Sequence, residues 1–444
     1  MKRFVLERSK RDVLTSYSGM ALAGLCLNRH TNLAARADEQ LPCQGIATSD
    51  VVFSYTGLLC VGKTDFEAIT GFRDDQTFRQ SLGIVTVPSA ETLRQRLDAM
   101  PDTFRFAVAD AGTELIRRAK APITALATGH IALDCDGSPM DNSGTHKEGV
   151  SYTYKGHDGY TPMAAYLGQE GWCLELELRP GSQHGQKGFI PFLGRVLYRA
   201  RRLVGSDKRL LVRLDSAHDA AETRWKLAET PKTDWIIKWN PRKQDSESWW
   251  QRGLESGTVV EDPKRPGKRT AVLDEVVSTE HDGKTLTCRR IVQVVERTID
   301  RKGRLLLLPE RELEGWWTSL DLAPRDVVKL YNDHGTSEQF HSELKTDLDV
   351  ERLPSGKFAT NALVLALAGL AYNILRLIGQ IGLLGEFSPM RHPAKRRRLK
   401  TVMQELMYVA ARVIDSGRRL RLRFAHHCPA FRAFEVVYHH LRTV

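Results

Sequence analysis

Residues 130–136 read HIALDCD, a short apolar run that ends in two carboxylates, Asp134 and Asp136. A run of this length predicts a buried strand. Residues 209–215, RLLVRLD, have the same form and end in Asp215. Between them, Thr161–Gly168 and Trp172–Leu178 read as two further strands joined by a tight Gly-Gln-Glu-Gly turn. Gly188–Val204 has helical periodicity, Ala217–Leu227 reads as helix, and Trp235–Trp239 as a fifth strand. The order β-β-β-α-β-α-β predicts an α/β class, a mixed sheet with helices packed on it.

Outward from this centre the pattern changes. Thr270–Val277, Thr285–Ile299 and Arg304–Leu308 read as strands, with hairpin turns at His281–Lys284 and Asp300–Gly303. This β-rich block precedes a helix that starts near Pro324, a favoured first helical position, and runs towards Leu348. Residues 50–128 read as helical. Thr64-Asp65-Phe66-Glu67 has the form of a helix start, and Ser89–Met100 sets Leu93, Leu97 and Met100 on one side. Arg73, Arg79, Arg94 and Arg96 decorate this region, which makes it a candidate DNA-binding unit. The most apolar segment, Asn361–Leu384, is interrupted by Asn373, Arg376 and Gln380, so it predicts a buried helix and no membrane span.

The chain of 444 residues has 65 Lys/Arg against 54 Asp/Glu, a net charge of +11. Nearly all of that excess lies in residues 391–444, with thirteen Lys/Arg and three acidic residues. Its densest piece is Lys395–Lys400 (KRRRLK), which brings Lys395, Arg396, Arg397 and Arg398 together. In a second stretch, Arg418–Arg423, Arg alternates with Leu after the first residue, as in an exposed basic strand. Such clusters point to a polyanionic partner. No two of the seven cysteines lie within five residues of each other, so there is no CxxC motif, and a reducing, cytoplasmic setting is expected. No apolar run follows the basic N-terminus, so no signal peptide is expected.

Two strands that each end in Asp converge if they are neighbours. Carboxylates held close repel one another unless a cation lies between them. Hard oxygen donors with room for water suit Mg²⁺ or Mn²⁺, and two such ions about 4 Å apart serve phosphodiester chemistry. Strand-end Asp residues also cap turns, as Asp215 before Ser-Ala-His would. A third element shifts the balance. Residues 331–345 read YNDHGTSEQFHSELK. At 100° per residue, Tyr331, His334, Glu338 and Lys345 fall in one stripe of about 60°, while Glu343 lies well outside it. A stripe of that composition is too polar for a core face and suits a metal ligand flanked by phosphate contacts. Gly335 costs about 1 kcal/mol inside a helix, and Thr336 and Ser337 could cap a new one there.

At these residues the chain resembles the bacterial insertion-sequence transposases of the DDE superfamily, in the branch marked by Tyr-x2-Arg-x3-Glu-x6-Lys. Tyr331, His334, Glu338 and Lys345 have that spacing. The phrases LDCDGSPMDNSGTHKEG, RPGSQHGQKG, LVRLDSAHD and GTSEQFHSELK resemble the family's blocks, over roughly residues 50–440. The resemblance implies a ribonuclease-H-like catalytic core. It makes Asp136, Asp215 and Glu338 the catalytic metal ligands for two Mg²⁺ or Mn²⁺ ions, with Asp134 as the alternative to Asp136. Tyr331 and Lys345 match positions expected to hold the transposon-end DNA, and His334 stands where the family has Arg. Aromatic residues of the insertion would stack on a flipped base, with Trp249, Trp250, Trp316 and Trp317 as candidates. The implied activity is cleavage at terminal inverted repeats and joining of 3′ ends to target DNA. The implied assembly is a homodimer in a synaptic complex, acting on double-stranded DNA in a bacterial nucleoid, with a hairpin intermediate. Alternatives are a stand-alone ribonuclease-H-like nuclease and a non-catalytic DNA-binding relic.

The expected organisation is a helical N-terminal region (1–128), the first part of the core (129–240), the β-rich insertion (241–322), the rest of the core (323–385) and a basic C-terminal region (386–444). His184 is a candidate phosphate contact or a plain turn residue. His218 and Asp219 are candidate supporting residues, and His426-His427-Cys428 only superficially resembles a ligand cluster.

Overall fold

The run that ends in Asp136 forms strand β1 (Ile131–Gly137), flanked on both sides within a nine-stranded sheet. The other strands are β2 (Met163–Leu167), β3 (Trp172–Glu177), β4 (Leu210–Leu214), β5 (Thr233–Lys238), β6 (Thr258–Glu261), β7 (Lys268–His281), β8 (Lys284–Ile299) and β9 (Leu305–Thr318). The sheet runs β6-β7-β8-β9-β5-β4-β1-β2-β3. The computed structural model describes residues 3–9, 11–300, 302–417 and 419–444. Arg301 and Arg418, placed above in a turn and a basic stretch, lie outside the described residues, as does the side chain of Thr336.

β1 is antiparallel to β2 and parallel to β4, and β4 is parallel to β5. Strands buried on both faces read as unbroken apolar runs, which is why β1 and β4 were legible. Their register sets where the carboxylates emerge. Cys135 lies beside Leu214, so the next residues, Asp136 and Asp215, leave the sheet at the same edge. One step earlier, Asp134 lies beside Arg213.

The β-rich block does not stand apart from the sheet. Trp316, Trp317 and Thr318 of β9 pair with Lys238, Ile237 and Ile236 of β5, which makes one continuous sheet. β9 is far longer than the expected Arg304–Leu308. Pro309 and the charged run after it hide a strand that is exposed until its last four residues pass over the core. The helix expected from Ala217 starts at Ala221, because Asp215 accepts from the Ala217 amide at 3.2 Å and closes a tight turn first. Between β1 and β2 a small sheet forms from Met140–Asp141, Ser151–Tyr152 and Asp158–Tyr160, strands too short to show any periodicity.

Six α-helices lie between Met20 and Arg118. One, Ala90–Asp98, is capped by Ser89, whose hydroxyl accepts from the Thr92 amide at 3.1 Å, and Leu93, Leu97 and Met100 are buried as their spacing predicts. The expected helix start at Asp65 is a 3₁₀ turn, Phe66–Phe72, with Asp65 accepting from the Glu67 amide.

The helix Phe358–Gly382 is long and apolar enough to cross a membrane, and its apolar window is entirely buried within the fold. Its polar interruptions make structural bonds. The Asn373 side chain bonds both the N–H (2.9 Å) and the C=O (2.7 Å) of Cys173 on edge strand β3. Arg376 donates to Tyr372, to the Arg397 carbonyl and to Glu343, a buried ion pair on the Glu338 segment. Near the C-terminus, strands Ala411–Ser416 and Arg419–Phe424 form a hairpin that takes Val13–Thr15 as its third strand, and helix Phe431–Thr443 follows.

Candidate active site

Asp136 and Asp215 open into a cleft of about 540 Å³ at the edge where β1 and β4 end. The far wall is the segment that starts at Pro324. It is not one regular helix: Pro324–Asn332 is followed by a 3₁₀ turn (Asp333–Gly335), a helix (Thr336–Ser342) and a π turn (Glu343–Asp347). The break falls at Gly335, as its poor propensity allows. Even so, Tyr331, His334, Glu338 and Lys345 all line the same cleft as the two Asp residues. Three separate segments therefore deliver Asp136, Asp215 and Glu338 to one cavity, which Glu351 also lines.

The structure separates Asp134 from Asp136. Asp134 is 2% exposed and receives a two-pronged bond from Arg213, Nε to Oδ1 and Nη2 to Oδ2, both 2.7 Å. His334 Nδ1 lies 3.1 Å from the same carboxylate. Burial alone would raise the Asp134 pKa, but the charges of Arg213 and His334 and their hydrogen bonds pull it down to about 2. Asp134 therefore anchors the wall, and Asp136 faces the cavity. His334, expected to face DNA, is instead buried against Asp134, and that charge outweighs the cost of burial and raises its pKa. Arg213 also donates to the Leu330 carbonyl at 2.8 Å, which ties β4 to the helix carrying Tyr331.

The two cavity Asp residues differ in electrostatics. Desolvation in the cleft wall raises the pKa of the half-buried Asp136, yet His341, 3.6 Å away, and His334 draw it below the ordinary carboxylate value. Burial and the charge of Asp136 push Asp215 up to about 6. Each of two neighbouring carboxylates disfavours the charged form of the other in this way. Lys345 donates to the Pro139 carbonyl, and burial lowers its pKa. Among the described residues, no three His, Cys, Asp or Glu side chains are drawn close enough to cage an ion as they stand. His426, His427 and Cys428 thus form no ligand cluster.

Several expected contacts have other roles. Trp249, Trp250, Trp316 and Trp317 are each at most 6% exposed, and none lines the carboxylate cleft. Trp249 packs on Trp239 at 5.4 Å, and Arg269 lies over Trp250. Trp249, Trp250 and Trp317 belong to the main core, whereas Trp316 packs with Leu211, Ile236 and Val327 under the helix that carries Tyr331. In the basic run 395–398, Lys395 and Arg398 are exposed, Arg396 is half-buried and Arg397 is buried. Arg397 is buried and donates to the carbonyls of Leu383 (2.9 Å) and His392 (2.7 Å). Arg398 grips both oxygens of Asp347 (3.0 and 2.9 Å). Arg396 reaches Gln339 and lies over the Phe340 ring, and Lys395 reaches Gln169. Arg396 and Arg398 thereby brace the segment carrying Glu338.

His184 lines an adjoining cavity of about 820 Å³ that also reaches Asp215. His218 stacks on Phe189 at 3.8 Å, and burial, with Arg179 nearby, lowers its pKa to about 3, so it stays neutral. Asp219 accepts from Arg224 (2.5 Å) and from the Asn240 amide (2.9 Å).

Besides His341, which lies beside Asp136, two groups of residues escaped the sequence reading. Arg213 was legible in principle: setting LDCD beside VRLD with their last Asp residues level places Asp134 next to Arg213. The second group is the loop between Ser151–Tyr152 and Asp158–Tyr160. Its Tyr154, Lys155 and His157 line the cleft, and Tyr154 is 70% exposed. The alternating Tyr residues of SYTYKG were its only signal.

Residues 50–444 match the model of a protein family described as transposase DDE domain group 1. Among solved structures, the chain is similar to one in the cryo-EM structure of a piggyBac transposase synaptic complex with hairpin DNA. The two share 13% identity and a TM-score of 0.42, over 88% of this chain and 80% of that one. No curated protein sequence matches the chain.

Proposed function

Because the chain belongs to the transposase DDE domain group 1 family, we propose that it is a DNA transposase that cuts and joins phosphodiester bonds in the cleft of Asp136, Asp215 and Glu338. The observation that carries this reading is the meeting of those three carboxylates, from two strand ends and a helix, at one cavity. The sheet segment β3-β2-β1-β4-β5, antiparallel on one side of β1 and parallel on the other, supports a ribonuclease-H-like core.

The donor set fits hard divalent cations. It is all oxygen, it is open to water, and its Asp215 is destabilised by the charge of Asp136. Two Mg²⁺ or Mn²⁺ ions held there would activate the attacking oxygen and stabilise the leaving one. Asp136, Asp215 and Glu338 position that chemistry. Asp134, Arg213 and His334 fix the angle between the sheet and the helix wall. Lys345 and Lys155 offer positive charge to phosphate at the cavity, and Tyr154 offers an exposed ring on which a base can stack. Terminal inverted repeats, a target duplex, a homodimeric synaptic complex and a hairpin intermediate complete the reading.

The test is cleavage of a labelled duplex ending in the element's own inverted repeat, with Mg²⁺, by wild type and by Glu338→Gln. Nicking by wild type alone supports the reading. Binding without cleavage by both proteins would reject catalysis and leave a DNA-binding relic. Equal cleavage of unrelated duplexes would favour a stand-alone nuclease.

A further inference from the structure

The basic hairpin near the C-terminus contributes nothing to the carboxylate cleft, and its register sorts its residues sharply. Arg412 lies opposite Arg423, Ile414 opposite Arg421 and Ser416 opposite Arg419, while Ala411, Val413 and Asp415 lie opposite Phe424, Leu422 and Leu420. Directly opposed residues share a face. One face is mainly apolar, and its Phe424 packs on Phe431 (5.5 Å) and Phe434 (4.9 Å) of the terminal helix. The other face carries Arg412, Arg419, Arg421 and Arg423, all exposed.

Like charges directly opposed across a strand pair are destabilising. Asp12 offsets only part of this, through Arg412 at 2.5 Å. Among the described residues, Arg419, Arg421 and Arg423 have no carboxylate partner. His426 and His427, just beyond the strand, are exposed as well. Residues 395–398 differ in part: Arg397 is buried on backbone carbonyls and Arg398 pairs with Asp347, whereas Arg419, Arg421 and Arg423 are exposed without such partners. A two-residue step along a strand is about 7 Å, so the three arginines form a row about 14 Å long on the outer strand of the hairpin.

We propose that this ribbon binds the phosphate backbone of duplex DNA without regard to sequence, at a surface distinct from the carboxylate cleft. The proposal rests on the DNA-transposase reading and adds the place where the duplex is held outside the reacting site. The three arginines would displace counter-ions from about three phosphates. Each contributes about 0.9 to the slope of log affinity against log salt.

The experiment measures binding of the full chain to an inverted-repeat duplex and to an unrelated duplex, over a series of salt concentrations. Wild type is compared with the triple variant R419Q/R421Q/R423Q and with the charge-keeping R419K/R421K/R423K. Thermal melts check that both variants fold. The expected result is a slope about 2 to 3 smaller for the Gln variant on both duplexes, binding weaker by about ten-fold or more near 0.1 M salt, and a near-wild-type slope for the Lys variant. A wild-type slope in the Gln variant overturns the ribbon proposal while DNA binding stands. A loss confined to the inverted repeat overturns its sequence independence. A wild-type chain that binds neither duplex overturns this proposal and the DNA reading together.

Discussion

At the scale of single residues, two aspartates two positions apart have opposite tasks. Asp134 is buried in a two-pronged bond with Arg213, and Asp136 opens to the cavity. Removing one partner of a buried ion pair leaves the other charge uncompensated, at a cost of about 3–5 kcal/mol. Asp134→Asn or Arg213→Met should therefore lower the stability measured by urea unfolding by that amount. Asp136→Asn should shift stability by less than about 1 kcal/mol. It should, however, reduce single-turnover cleavage by on the order of 10³-fold, the worth of several kcal/mol of metal-borne stabilisation. A large stability loss in Asp136→Asn with cleavage intact would reverse the assignment. The sequence showed both carboxylates on one strand face. It did not show which was satisfied, because that depends on a neighbour 79 residues away.

At the scale of elements, the Glu338 segment is held by contacts from distant parts of the chain. Arg376 pairs with Glu343, Arg398 with Asp347, and Phe340 packs against the turn between β2 and β3. That turn contains Gly171 at φ +73°, where a Cβ would lie 2.2 Å from the Phe340 ring. Gly171→Ala combines a left-handed backbone with a steric clash. It should cost roughly 2 kcal/mol or more and displace the helix that presents Glu338. The expected outcome is a lower melting temperature together with slower cleavage at unchanged DNA affinity. An Ala variant that cleaves at the wild-type rate would show that the turn does not position Glu338. The helical stripe was legible from its spacing. Its 3₁₀ break and π turn were not, because tertiary contacts set them and not local propensity.

At the scale of the whole molecule, the cleft joins β1, β4 and the Glu338 helix, so an ion bound there links all three. Binding to the native state alone raises stability by about 1.4 kcal/mol when the ion stands ten-fold above its dissociation constant. Mg²⁺ or Mn²⁺ should raise the melting temperature of the wild-type chain, chelation should reverse the rise, and Asp215→Asn should abolish it. The same rise in Asp215→Asn would place the ion elsewhere. Asp215 is the sensitive choice because burial and the charge of Asp136 already push it up to about 6.

What the sequence determined by itself was local. Apolar runs marked the strands, Ser89 and Pro324 marked helix starts, and the spacing of Tyr331, His334, Glu338 and Lys345 marked the polar wall. These signals depend on backbone geometry, which repeats every two residues in a strand and every 3.6 in a helix. The tertiary structure alone decided the long-range partners. It placed Asp134 against Arg213, buried the tryptophans, turned Arg397 inward and brought Tyr154 to the cavity. Whether a charge or an aromatic ring faces water or a partner is a matter of burial and pairing across hundreds of residues. No periodicity along the chain encodes that directly.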